Sequence, residues 1–151
     1  YNIMNITKNL LYELLYEKTN QELIAYLSAV NDYRLLHMIA VNYNWDNGIS
    51  VPESISNHPN CDLGTALLLF ELADGYIFLV GDSENVLTGE LKAFLSVLKR
   101  RIEQRDFTHQ SIKYVPDFTR AMKYHIRKVC PDVDTIFMEG TEGETLEIIT
   151  V

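Results

Sequence analysis

Residues 62–74 constrain the fold most, because Leu63, Ala66, Leu67, Leu68, Leu69, Phe70, Leu72 and Ala73 make this stretch apolar on almost every side. A helix that is hydrophobic all round has to be enclosed by other elements. The segment therefore predicts a central helix, with Asp62 capping its start and Gly75 its end. Its uncharged apolar run, 66–70, is far too short to cross a bilayer, so no membrane helix is expected. A length of 151 residues is that of one domain, and the expectation is a single helical domain over 1–151.

The enclosing helices follow from apolar spacing. Ile6, Leu10, Leu11, Leu14 and Leu15 recur every three or four residues and predict a helix over 3–17. Thr19 and Glu22 have capping-box spacing ahead of Leu23, Ile24, Leu27 and Val30. Asp32 is the expected N-cap of a third helix carrying Leu35, Leu36, Ile39, Ala40 and Tyr43. Residues 44–62 read as loop, with the Asn47-Gly48 turn signal and with Pro52 in the first turn of a short helix through Ser56. Residues 76–80 read as a short strand or a buried loop.

Further on, Leu87, Leu91, Phe94, Leu95, Leu98 and Ile102 mark a long amphipathic helix over 86–104. Pro116-Asp117 opens another, with Phe118, Ala121, Met122, Ile126 and Val129 inward and Arg120, Lys123, Arg127 and Lys128 outward. After Pro131 the runs 135–138 and 146–151 are β-prone, so 131–151 reads as an acidic C-terminal β-hairpin or extended tail. The predicted class is mainly α. An irregular helical bundle and HEAT-like stacked helix pairs both fit, the latter because 35–73 alternates helix, Asn/Pro-bearing loop and helix.

Charge is unevenly divided. The chain has 21 acids and 13 bases, a net of -8. Ten of those bases but only three acids (Glu103, Asp106 and Asp117) lie between Lys92 and Lys128, so that segment is +7 and the remainder -15. The overall balance argues against a nucleic-acid partner, since phosphate contacts need a positive surface. The local one points to two adjacent helices with basic solvent faces, or to a basic patch that docks an acidic protein. Two cysteines, Cys61 and Cys130, make a disulfide framework improbable and fit the cytoplasm. Because the sequence opens on Tyr1 and not on Met, a targeting segment ahead of it stays open.

The densest chemistry is Asn42-Tyr43-Asn44-Trp45-Asp46-Asn47-Gly48, which holds the single tryptophan. Amides and a carboxylate around one aromatic suit a ligand loop, the ring giving area and the polar groups direction. They equally suit a turn that satisfies its own backbone, with Trp45 plugging the core and Asn42, Asn44 and Asp46 capping helix ends. Counted as a calcium loop, Asn42, Asn44, Asp46, Ser50 and Glu53 fall at ligand positions. The first is an amide, however, and the glycine position holds Asn47. His58, Cys61 and Asp62 are ligand types for zinc, but no second cluster completes four, and no metal is expected. A catalytic Cys61 with His58 as base has no supporting signature; a buried Cys61 beside a capping Asp62 is the simpler reading. Tyr124 and His125 could meet a phosphate, or simply pair on a helix surface. No phosphate loop, dinucleotide fingerprint, serine elbow or paired-His zinc helix is present, and no cofactor is expected.

The phrases Leu36-His37, Ala40, Asn42 through Gly48, His58-Pro59, Cys61-Asp62-Leu63-Gly64-Thr65-Ala66-Leu67, Phe70 and Ala73-Asp74-Gly75 resemble an uncharacterised bacterial domain, the domain of unknown function family numbered 4274. The resemblance covers 36–80 and continues loosely through the next helix. It implies no activity and no catalytic residues, and the chain departs from the pattern at Asn47, where the family favours an acid. Taken together, the expectation is a cytoplasmic protein-binding module of undefined oligomeric state, with an immunity protein as one specific form by analogy. Its contact residues would include Arg120, Lys123 and Arg127. The alternative is an enzyme or small-ligand or metal binder built on Asn44, Trp45, Asp46, His58, Cys61 and Asp62.

Overall fold

A computed structural model describes residues 5–81 and 86–151. The expected all-apolar helix is α5 (Leu63–Leu72), whose residues are buried from Leu63 through Phe70. It lies against α3 (Tyr33–Asn42), α4 (Ser50–Ser56), α6 (Gly75–Val80) and α7 (Gly89–Glu103). Contact with four helices makes this an irregular bundle about one hub; in a stacked array each unit would meet only its neighbours. Around α5, Leu35, Leu36, Ile39, Ile55, Leu95 and Ile102 lose all or nearly all exposure. Each such side chain stabilises the fold by roughly 1.5–3 kcal/mol before entropy is counted.

The remaining helices dock on this core. The first predicted helix starts at α1 (Lys8–Tyr12), capped by Thr7, and continues as a π-helical stretch, Glu13–Glu17; Ile3 lies outside the described residues. In α2 (Asn20–Leu27), which packs on α4, the capping box forms in both directions: Thr19 Oγ1 accepts from Glu22 N at 3.1 Å, and Glu22 Oε1 from Thr19 N at 3.0 Å. Asp32 caps α3 through the Arg34 amide at 2.9 Å. α7 starts at Gly89 because Thr88 caps it. α8 (Arg120–Val129) packs on α6. α9 (Ile136–Glu139) buries Phe137 against the Phe70 ring, with centroids 4.9 Å apart.

Several expectations are corrected. Residues 76–80 are helix α6, neither strand nor loop. The left-handed residue between α5 and α6 is Asp74 (φ 67°), and Gly75 is needed for a different reason: a Cβ there would overlap the Phe70 ring. α8 is capped by Thr119 and not opened at Asp117, whose amide donates to Glu71 Oε1 at 3.1 Å. On α8 itself Ala121 and Val129 are exposed and Lys123 is half-buried, while Met122, His125 and Ile126 face inward. Of the two readings for the C-terminal segment, the chain takes the extended one after 140. Residues 135–138 turn helical, and Glu144 joins Ile112 in an isolated parallel bridge. Among the described residues no helix is long and apolar enough to cross a membrane.

Candidate functional site

The 42–48 loop is held by its own side chains, by backbone bonds from the Asn47 and Gly48 amides to Asn44 O and Trp45 O, and by Asn20, which donates to Asn47 O at 2.9 Å. Asn42 donates to the Met38 and Ile149 carbonyls (2.9 and 2.8 Å) and accepts from the Val151 amide (3.0 Å), clamping the C-terminal segment onto α3. Tyr43 is buried, its hydroxyl donates to Gly48 O at 2.7 Å, and burial raises its pKa. Asn44 Oδ1 accepts from the Asp46 amide at 3.0 Å and caps a 3-10 turn, Trp45–Asn47. Trp45 is half-buried, edge-on to Tyr43 and Phe94 at 6.1 and 6.3 Å, while Asp46 is exposed.

The 58–62 loop is equally committed. Because His58 Nδ1 accepts from the Asn60 amide (3.0 Å), its proton sits on Nε2, which donates to Leu27 O at 2.8 Å. Asp62 has 0% exposure; its carboxylate accepts from the amides of Gly64 (2.7 Å), Ser111 (2.6 Å) and Ile112 (3.3 Å), tying the cap of α5 to residues 111–112. Burial pushes the Asp62 pKa up, and the three N–H donors pull against it. The close approach requires Gly64, since a Cβ would stand 2.6 Å from Ile112 O. Burial drives the Cys61 thiol up to about 12, which keeps it from ionising at neutral pH. Asn44 lines a cavity with Asn20 and Asn42, to which neither His58 nor Asp62 contributes. Among the described residues no group of three or more His, Cys, Asp or Glu could hold a metal ion.

The basic helix is arranged differently. Arg120, Tyr124 and Arg127 are spaced i, i+4, i+7, so they share one face, with Ala121 and Lys128 beside them. All five are exposed, Tyr124 at 66%. The ion pairs of the described residues join Arg34 to Asp32, Lys99 to Glu103, Arg101 to Asp106 and Arg105 to Asp134, and leave the cations of α8 out. Behind this face His125 Nδ1 lies 2.9 Å from the Tyr76 hydroxyl, which sets the inward side of α8 on α6. Arg127 and Lys128 also complement the C-terminal end of the helix dipole.

Two features escape sequence reasoning. Tyr114 donates to Glu71 Oε1 at 2.5 Å, a contact 43 residues apart that fastens the 104–119 connection to α5; burial and the Glu71 carboxylate raise its pKa. A groove of about 290 Å³ between α4 and α7 is lined by Glu53, Phe94, Val97 and Glu90 among others. Only the outward position of Val97 on the α7 stripe signals the second.

The match to known families falls squarely on the hub. Residues 31–103 match the domain of unknown function family DUF4274. That match covers just under half of the chain. Its bounds run from just before the Asp32 cap to the last residue of α7, so the DUF4274 segment is the α3–α7 unit built around α5. That is wider than the 36–80 resemblance on both sides. Both side-chain-bonded loops, 42–48 and 58–62, lie inside the DUF4274 segment, whereas the basic face of α8 and the C-terminal clamp lie outside it. No curated protein and no solved structure matches the chain.

Proposed function

We propose that this protein is a protein-binding module that docks an acidic partner on the outer face of α8. The observation that carries this reading is Tyr124, 66% exposed and flanked on its own helix face by Arg120, Arg127 and Lys128. An exposed tyrosine among arginines is the composition from which binding hot spots are built, because the ring supplies rigid contact area and the guanidiniums supply directed hydrogen bonds. Cations that pair with no carboxylate among the described residues can also steer an acidic surface in. Lys123, being half-buried, contributes less than its neighbours to such a face. A cytoplasmic setting belongs to the same proposal and is supported by two free thiols, Cys61 and Cys130; a bacterial one rests on the family resemblance alone. An immunity-type role is one form of it, with the acidic target region of a toxin as the ligand of α8.

The alternative, an enzyme or small-ligand binder on Asn44, Trp45, Asp46, His58 and Asp62, has less support. His58 and Asp62 are engaged with backbone groups, and their hydrogen bonds explain why those residues are there. The experiment is affinity capture from native cytosol with the wild-type chain and with the triple variant Arg120→Glu, Arg127→Glu, Lys128→Glu. The proposal expects one near-stoichiometric partner that the folded triple variant loses and that high salt releases. Identical capture by both proteins contradicts it.

A further inference from the structure

The α4–α7 groove differs in character from the α8 face and is independent of it. Its floor is apolar, made by Phe94 and Leu98, and its wall includes Val97, which is 46% exposed although it sits on a helix whose core-facing stripe is already complete without it. Glu53 enters from α4 and Glu90 from the first turn of α7. Among the described residues neither carboxylate has a hydrogen bond or an ion pair.

The one cation lining the groove, Arg101, does not compensate them. It donates to Ser56 O at 2.7 Å, pairs with Asp106 at 3.7 Å and lies 4.4 Å over the Phe107 ring. The groove thus offers apolar contact area with two carboxylates that no cation pairs with among the described residues. Its complement is a positive charge on an apolar stem; an anion of the same shape meets like charge. At about 290 Å³ the space is at the small end of ligand sites, roughly 300–1,000 Å³, and takes a small molecule and not a helix. We infer that the α4–α7 groove of the DUF4274 segment binds a small organic ammonium ion, its apolar stem on Phe94 and Val97 and its charge between Glu53 and Glu90.

The chain contains its own reporter, since its single tryptophan, Trp45, stands edge-on to Phe94 at 6.3 Å. The test titrates the full chain with phenethylamine, with neutral 3-phenylpropanol and with anionic 3-phenylpropanoate, following Trp45 fluorescence and amide NMR shifts. The ammonium compound is expected to saturate both signals, with shifts at residues 50–57 and 90–101. The alcohol should bind at least about tenfold more weakly. The carboxylate should not saturate. The double variant Glu53→Gln, Glu90→Gln should reduce the amine to the level of the alcohol, with circular dichroism unchanged; if the pair misfolds, each single substitution is read instead. Equal binding of the three compounds, unchanged amine affinity in the folded variants, or no saturation by about 20 mM amine overturns the inference.

Discussion

Acidification should destabilise this protein through one side chain, His37. The residue sits on α3 with 2% exposure, its Nδ1 2.9 Å from Thr65 Oγ1 on α5 and its ring edge-on to Tyr114. Burial lowers its pKa from 6.5 to about 4. The folded protein therefore keeps the ring neutral down to about pH 4, whereas the unfolded chain takes up a proton below about pH 6.5. Between those values the unfolded state holds the extra proton, so this contribution to stability is intact above pH 6.5 and is lost as pH falls towards 4. At about 1.4 kcal/mol per pH unit the loss reaches about 3 kcal/mol. That is a large share of the roughly 5–15 kcal/mol a domain possesses.

The assay is urea unfolding at steps from pH 7 to pH 4 for the wild type and for His37→Gln, which cannot titrate. The comparison matters because carboxylates titrate in the same range, and Asp62, whose pKa is raised by burial, runs the other way and gains stability as pH falls through its folded value. The wild type should lose about 3 kcal/mol more than the variant across the window. Parallel curves would show that His37 is not the source of the acid sensitivity.

Other consequences are direct. Gly75→Ala drives a methyl into the Phe70 ring and should destabilise by about 1–3 kcal/mol in thermal or urea unfolding. Asp62→Ala leaves two buried amides and one part-buried amide without their acceptor and should cost about 3 kcal/mol; Asp62→Asn, which keeps one acceptor oxygen for the helix cap, should cost less. Alkylation of the native protein by iodoacetamide should modify Cys130 well before Cys61, whose thiol burial holds at about 12, and mass spectrometry should find Cys61 labelled only after denaturant is added.

Helix caps and apolar periodicity were legible in the sequence because both are local. The Thr19–Glu22 box, the Asp32 and Asp62 caps and the all-apolar face of α5 depend on residues within a few positions of one another. What was not legible depends on residues far apart. Residues 76–80 are β-prone by composition, yet α5 and α8 impose helix on them. Gly75 resembles a helix stop until Phe70 is placed over it. Asp62 is readable as a cap, while its bonds to Ser111 and Ile112, 49 and 50 residues on, are set only by tertiary packing. The basic charge of α8 was visible. That Lys123 turns partly inward while Tyr124 stands at the centre of the outer face follows from how α8 rolls onto α6, which helical spacing alone does not determine.

Photo-crosslinking tests most directly whether α8 contacts an acidic protein. A benzophenone side chain is introduced at Tyr124, and as a control at Tyr12, an aromatic position of comparable exposure on α1 (53%). Irradiation in native cytosol at low and high salt, followed by mass spectrometry, should give one crosslinked partner from position 124, attached at a stretch rich in Asp and Glu and abolished by high salt, with no such product from position 12. Crosslinking that is the same from both positions, or indifferent to salt, would contradict that contact.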